Sequence, residues 1–272
     1  MLLLFLACAP ETIQPPSCNG AAEHCARPFD QVVVVGTHNS MSSPGWDFKP
    51  PNQNLDMLEQ LDSGVRALNL DVYEELGALL TCHGYCSLGS RPLVEVLSEL
   101  SAWLDANPDQ VLSLTFEAYI SAEQMVGAFE ASGLIDHVAT RDPAEPWPTL
   151  QQMIDSGQRL VVWTDREGGD PDWYGDINAQ VWETDYAYET VDDFDCGFRR
   201  GGEDQSYTYM AHFLTDPLAS EELAAQANTA QVLWDRIAQC EAIGRSPQLI
   251  LVDFAQIGEV FEVVTELNAQ VE

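Results

Sequence analysis

The sequence predicts a (β/α)8 barrel of the TIM type, on three observations. Short apolar runs rich in Val, Leu and Ile recur near 31–36, 66–72, 78–83, 111–117, 159–164, 179–184, 207–213 and 248–254. Such runs suit strands covered on both faces of a parallel sheet. Helical patterns fall between them. Polar or ionisable side chains stand at or near the C-terminal ends of successive runs, the end where barrels of this class keep their chemistry.

Taken in order, Met1 to Cys8 reads as the apolar end of an export signal, and Leu6-Ala7-Cys8 resembles the end of a bacterial lipobox, whose cysteine becomes a lipidated first residue. A basic leader is missing and the apolar run is short, so residues 1–8 read as a truncated signal. Residues 9–28, rich in Pro, Ala and Cys, read as a tether, which leaves 29–272 for the barrel. The first strand stops at Gly36 and is followed by Thr37-His38-Asn39-Ser40. The second carries Leu68-Asn69-Leu70-Asp71, the third Cys82-His83-Gly84, the fourth Leu114-Thr115-Phe116-Glu117. In 92–106, Leu93, Val96, Leu97, Leu100, Trp103 and Leu104 keep helical spacing until Asn107-Pro108. Helices are also expected over 220–240, opened by Ser220-Glu221-Glu222, and over 256–269. The stretch 165–178 is rich in Gly, Asp and Pro, so the barrel is expected to be irregular between its fifth and sixth strands. No stretch reaches the roughly 18 apolar residues of a membrane-spanning helix.

The net charge of −33 and the single lysine, Lys49, exclude a nucleic-acid partner and, at low salt, oppose binding to anionic membranes. The balance suits an exported, monomeric protein in a salty medium, a bacterial cell-envelope lipoprotein or a secreted protein. With Cys8 set aside, six cysteines remain. Cys18–Cys25, Cys82–Cys86 and Cys196–Cys240 is the simplest of about fifteen pairings. A zinc site at Cys82, His83 and Cys86 is the rival reading and lacks a second ligand pair.

Side chains two apart on a strand share a face, so Asn69 and Asp71 point together, and Ser113, Thr115 and Glu117 point away from Leu112, Leu114 and Phe116. An apolar face against the outer helices turns Glu117 and Asp71 toward the axis. Inward carboxylates are costly without compensation, and Arg66 falls on the opposite face from Asp71. Asn39, Asp71 and Glu117, with Asn69 a fourth candidate, are oxygen donors suited to Ca²⁺ or alternatively Mg²⁺. His38 and His83 are then free for proton transfer. Two histidines beside an oxygen-ligated cation suit phosphodiester chemistry. Asp165, Tyr186, His212 and Asp253 lie near strand ends as candidate substrate-lining residues, and Arg166, Arg199 and Arg200 as candidate phosphate clamps.

These motifs resemble the phosphatidylinositol-specific phospholipase C X-domain family of PLC-like phosphodiesterases. The resemblance rests on Gly36 to Ser40, on Gly64-Val65-Arg66-Ala67-Leu68-Asn69-Leu70-Asp71, on Cys82-His83-Gly84 and on Leu114 to Glu117. It is strong over 31–135 and weaker to the last strand, and nearest to the exported bacterial, plant and fungal branch. Metal-independent members place arginine where this chain has Asp71 and aspartate where it has Asn39. Calcium-dependent members carry asparagine and aspartate there, and glutamate at the place of Glu117. This chain departs from them at Asn69, where they have glutamate. The resemblance implies attack by an inositol 2-hydroxyl, with His38 as base or phosphoryl stabiliser and His83 as acid, to give diacylglycerol and a cyclic inositol phosphate. A glycerophosphodiesterase or other lipid-headgroup phosphodiesterase, and a lipid-anchored barrel that only binds ligand, are the alternatives.

Overall fold

A computed structural model describes residues 17–270. Its strands are β1 Val34–Thr37, β2 Ala67–Glu75, β3 Ala78–Thr81, β4 Arg91–Pro92, β5 Leu112–Tyr119, β6 Leu160–Thr164, β7 Tyr174–Asp176, β8 Trp182–Thr184, β9 Phe198–Gly201, β10 Thr208–Ala211 and β11 Leu249–Val252. They form one curled sheet in the order β7-β6-β5-β2-β1-β11-β10-β8-β9. Every pairing from β7 round to β8 is parallel. The sheet is that of a TIM-type barrel, as the apolar runs predict, with two departures.

The run 78–83 is not a barrel strand. It returns antiparallel along β2, with Glu75 opposite Ala78 and Val72 opposite Thr81. The two-residue turn between them, Leu76-Gly77, has φ of 53° and 83°, as a tight hairpin requires. β2 instead pairs directly with the fourth predicted strand, β5, and the barrel's remaining strand is β7, at the sheet's edge beside β6 and within the Gly-, Asp- and Pro-rich connection. The second departure is that the barrel is open between β7 and β8, the region where irregularity is expected. Only the four-residue helix Ile177–Gln180 joins these strands, too short to carry the chain across the sheet. Beyond β8 the edge is covered by antiparallel β9, which keeps backbone groups paired. At Gly201, with φ 107°, a Cβ would lie 1.8 Å from the Val181 carbonyl oxygen, so only glycine permits this approach.

The helices are α1 Met57–Asp62, α2 Leu93–Ala106, α3 Ala122–Ser132, α4 Leu150–Ser156, α5 Ile177–Gln180, α6 Glu221–Ala227, α7 Ala230–Ala242 and α8 Val260–Gln270. The helix expected over 220–240 is two, because Asn228 turns out of it. Its side-chain nitrogen donates to the Asp253 and Ile257 carbonyls at 3.0 and 3.1 Å, and Thr229 caps α7.

The alternation on β5 falls as its sequence requires: Leu112, Leu114 and Phe116 pack outward with Leu97, Leu100 and Phe129. At the N-terminal end of the barrel, Phe29, Trp147, Trp163 and Tyr207 stack into an aromatic floor. Residues 17–28 close that floor and are part of the domain, a correction to the tether expected over 9–28. Cys18 is buried, and the Asn19 amide exchanges two hydrogen bonds with the Val111 backbone. Backbone polarity at a barrel end needs such partners, so this segment completes the fold. The signal-like residues 1–8, with Cys8, and the first part of the expected tether lie outside the described residues. Cys18–Cys25, Cys82–Cys86 and Cys196–Cys240 are disulfides, which removes the zinc alternative. No helix among the described residues is long and apolar enough to cross a membrane.

Candidate active site

β1 and β11 run side by side to the C-terminal mouth, with Thr37 in register with Val252, so the next residues, His38 and Asp253, emerge together. His38 Nδ1 lies 3.0 Å from Asp253 Oδ1, and Nε2 lies 3.1 Å from Asn39 Nδ2. An amide nitrogen can only donate, so Nε2 accepts and the ring proton sits on Nδ1, facing Asp253. The ring stacks on Phe213 with centroids 3.9 Å apart. Asn52 donates to the same Asp253 oxygen at 3.0 Å, and Gln53 ties the His38 and Val252 carbonyls together. Burial pulls the His38 pKa down, but Asp253, with Asp71 and Glu117 behind it, more than offsets this and leaves it raised.

His83 reaches the same mouth by the hairpin. The Cys82 N–H donates to the Asp71 carbonyl at 3.2 Å, extending the β2–β3 ladder by one step and setting His83 opposite His38. Their ring centroids are 6.5 Å apart, edge to face. The His83 residue is exposed and its ring makes no hydrogen bond among the described residues. Partial desolvation in the cleft and the neighbouring His38 lower its pKa, against the opposing pull of Asp253 and Glu117.

Between the histidines, Asp71 and Glu117 are register partners on β2 and β5, which sets neighbouring backbones about 4.8 Å apart. Asp71 is 4% exposed. Burial, then Glu117, push its carboxyl up to about 8. Asp71 Oδ1 and Asn39 Oδ1 are buried with no hydrogen-bond partner, a condition costing about 1–3 kcal/mol per group. Asn39 holds its place with φ 45°, a left-handed conformation that asparagine tolerates better than most residues. Such orphaned acceptors beside Glu117 fit a hard divalent cation. Among the described residues no group of three or more His, Cys, Asp or Glu side chains is placed to hold a metal; this set has two carboxylates and an amide. Asn69 is committed elsewhere, accepting the Asn39 N–H at 3.2 Å and donating to the Thr115 carbonyl at 3.4 Å. It supports the Asn39 backbone.

Two clefts meet at His38, Glu117, Tyr186 and Phe213. The inner one, about 170 Å³, is a polar pit containing Asn69, Asp165, Arg166, Glu183 and Arg200. The outer one, about 690 Å³, is more apolar and passes between His83, Phe48, Tyr85, Leu88 and Leu218. Asp165 accepts the Ala118 N–H at 3.0 Å and pairs with Arg166 at 3.3 Å. Arg200 is locked to buried Glu183. Arg199 lies over the Tyr186 ring, 4.9 Å from its centroid.

His212 does not belong here, a correction to its place among the lining candidates. It is fully buried. One nitrogen meets the Ala227 carbonyl at 2.9 Å, the other meets Arg236 at 3.3 Å, and Phe194 stacks on the ring. Burial and Arg236 lower its pKa to about 3. It is a structural residue behind the sheet.

Comparison with known proteins fits this geometry. A family model described as PI-PLC X 1 matches residues 24–268. The chain belongs to the PI-PLC X family. It is 30% identical over 301 residues to an uncharacterized secreted protein of Arthroderma benhamiae, covering 96% of this chain and 67% of the relative. It is 26% identical to PI-PLC X domain-containing protein 1 of the same fungus, covering 94% and 91%. Among solved structures, the phosphatidylinositol-specific phospholipase C of Listeria monocytogenes superposes with a TM-score of 0.59 at 13% identity, covering 91% of this chain and 96% of that one. At that identity the likeness establishes the fold. A secreted relative and three disulfides mark this PI-PLC X chain as an exported protein.

Sequence reasoning places His38, Asn39, Asn69, Asp71, His83, Glu117, Asp165, Tyr186 and Asp253 around this mouth, where the structure brings them together. It misses Phe213, Asn52 and Glu183. Phe213 carried a signal, since it ends a predicted strand one residue beyond His212 and so takes the opposite face. Glu183 also carried one, as a carboxylate inside an apolar strand. Asn52 lies in a loop without pattern and carried none.

Proposed function

We propose that this domain is a metal-assisted phosphodiesterase that cleaves phosphatidylinositol-type lipids to diacylglycerol and a cyclic inositol phosphate. The observation that carries the reading is His38 facing His83 across 6.5 Å, beside two buried oxygens that lack donors. Asn39, Asp71 and Glu117 would hold Ca²⁺, or alternatively Mg²⁺. The cation supplies neutralisation of charge on the phosphate and acidification of the attacking hydroxyl when bound.

His38 acts as base. Asp253 keeps the proton on Nδ1, so the lone pair of Nε2 faces the mouth. A substrate 2-hydroxyl would displace the Asn39 amide from Nε2 and give up its proton there. The oxygen attacks phosphorus, the bond to the glycerol oxygen breaks, and His83 delivers a proton to that leaving oxygen. The lowered pKa of His83 suits a group that must release its proton.

The clefts suit the two halves of such a lipid. The pit is lined by paired charges, Asp165 with Arg166 and Glu183 with Arg200. Neither arginine there is spare, which favours an uncharged polyol over a ring bearing further phosphates. The outer cleft is bordered by Tyr85, Leu88 and Leu218, 76%, 48% and 56% exposed, an apolar border suited to contact with a lipid surface. The net charge of −33 gives the second reading its force, because it opposes approach to anionic membranes and favours soluble glycerophosphodiesters.

The test is to incubate the purified protein with phosphatidylinositol, lysophosphatidylinositol and glycerophosphodiesters, with calcium or with chelator. Headgroup release from inositol lipids that stops on chelation supports the proposal. Release from other diesters supports the second reading, and no release from any, with ligand still bound, leaves a binding barrel. We also infer that the protein is secreted or anchored outside the cell; an intact-mass measurement of the native N-terminus distinguishes these.

A further inference from the structure

His83 lies in the five-residue ring closed by the Cys82–Cys86 disulfide. Cys82 is fully buried within the main core and fixed by its N–H to the Asp71 carbonyl. Past Cys86 the chain is fixed again. The Leu88 carbonyl accepts the Lys49 N–H at 2.9 Å, and a Cβ on Gly89 would lie 2.6 Å from Phe48 Cα. Between those anchors His83, Gly84 and Tyr85 are exposed. The one hydrogen bond inside the ring runs from the Tyr85 N–H to the His83 carbonyl at 2.7 Å. Gly84 takes φ 68° with nothing within 4 Å of where a Cβ would stand. Among the described residues no side chain hydrogen-bonds to the His83 imidazole, whereas His38 has Asp253, Asn39 and Phe213.

We propose that the Cys82–Cys86 disulfide is the positioning element for His83, doing through the main chain what Asp253 and Phe213 do for His38 through side chains. This rests on the reading of His83 as the general acid. A proton donor must be held within a fraction of an ångström of productive geometry. Three exposed residues, held by one internal hydrogen bond and by Tyr73 against the Gly84 backbone, still sample many arrangements, and the disulfide removes most of them by closing the loop onto a buried cysteine. The disulfide takes no part in bond making.

The experiment compares the parent protein with the Cys82→Ser/Cys86→Ser double variant on two diesters of the same inositol phosphate. One has an alkyl leaving group, which needs a proton on departure; the other has a nitrophenyl group, which does not. The double variant should lose kcat about 10-fold or more on the alkyl diester, a portion of the 10²–10⁴ that general acid catalysis provides. KM should stay within about two-fold, and nitrophenyl turnover should be nearly unchanged. Proton NMR should show the His83 ring signals moved or broadened and those of His38 in place. Should the double variant misfold because Cys82 is a core residue, Cys86→Ala leaves that core side chain in place and takes the same measurements. Equal losses on both leaving groups, no loss on either, or unmoved His83 signals would overturn the proposal. If the parent hydrolyses neither diester, it is the catalytic reading that fails, and the NMR comparison still decides whether the disulfide places His83.

Discussion

The two walls of the mouth solve the same problem by different means. On the β1–β11 side, a histidine is gripped by a carboxylate at 3.0 Å, an amide at 3.1 Å and a stacked phenyl ring at 3.9 Å. On the hairpin side, a histidine with no side-chain hydrogen bond among the described residues stands on a main-chain loop closed by the Cys82–Cys86 crosslink, five residues round. The difference teaches where each group's chemistry is set. Asp253 fixes the tautomer and raises the pKa of His38, which suits a base that must retain the proton it takes. A carboxylate beside His83 would do the same and hinder release. A loop clamped from behind fixes position while leaving the ring's proton affinity to the cleft.

The largest effects should come from removing either ring. His38→Ala and His83→Ala should each lower kcat by about 10²–10⁴, yet not in the same way. Loss of the base should be felt whatever the leaving group, whereas loss of the acid should nearly vanish with a nitrophenyl leaving group. Identical leaving-group profiles for the two variants would erase the division of labour between the two rings.

Asp71→Asn strikes the ground between the walls. It removes one of two carboxylates from a set with little charge to spare, so Ca²⁺ affinity measured by calorimetry should fall at least about 10-fold. Activity should be recovered in part at high calcium. Asn69→Ala should weaken binding less, since its amide is spent on the Asn39 backbone and Thr115. If Asn69→Ala proved as damaging as Asp71→Asn, Asn69 would have to be returned to the ligand set.

Asp253→Asn addresses the better-held wall. Loss of the orienting carboxylate should cost about 10- to 100-fold in kcat/KM, the usual range for removing a group that orients a functional one. The sign of the pH effect follows from the balance at His38. Burial lowers its pKa, and Asp253 together with Asp71 and Glu117 more than offsets that, so without the Asp253 charge the variant's His38 loses its proton at lower pH. The base works unprotonated, and the acid limb of the rate profile should therefore move to lower pH. Cys82→Ser/Cys86→Ser should leave that limb unmoved.

Most of this site could be read from the sequence because strand alternation and the end of an apolar run are local signals. His38, Asp71 and Glu117 each follow from counting residues along one strand. The hairpin could not be read in this way. Leu76 is fully exposed and has positive φ, whereas the hairpin signal is Asn-Gly or Asp-Gly, so Leu79 and Leu80 pass for another barrel strand. β7 was hidden for the opposite reason, three residues within Gly-, Asp- and Pro-rich chain. Neither error displaced His83, because a hairpin that returns to the same mouth delivers the residue after it to the same place as a strand end would. The aromatic floor and the stapled 17–28 segment depend on contacts between distant residues and leave no periodic trace.

His212 is the opposite case, a histidine whose burial beside Arg236 keeps it neutral in the folded protein well below its ordinary titration range. Buried against Arg236, it has a pKa of about 3 when folded, against roughly 6.5 when unfolded. Between those values the unfolded chain binds a proton that the native protein does not. Stability should thus fall as pH drops below 6.5, by about 1.4 kcal/mol per pH unit from this residue, and be unaffected by it above. His212→Gln keeps a donor for Ala227 and an acceptor for Arg236 but cannot titrate. Urea unfolding at pH 7 and pH 5 should show the variant losing about 2 kcal/mol less than the parent over that interval, with turnover at pH 7 unchanged. An equal loss in both proteins would mean that His212 is protonated in the native state, and that the space behind the sheet admits charge as readily as the mouth does.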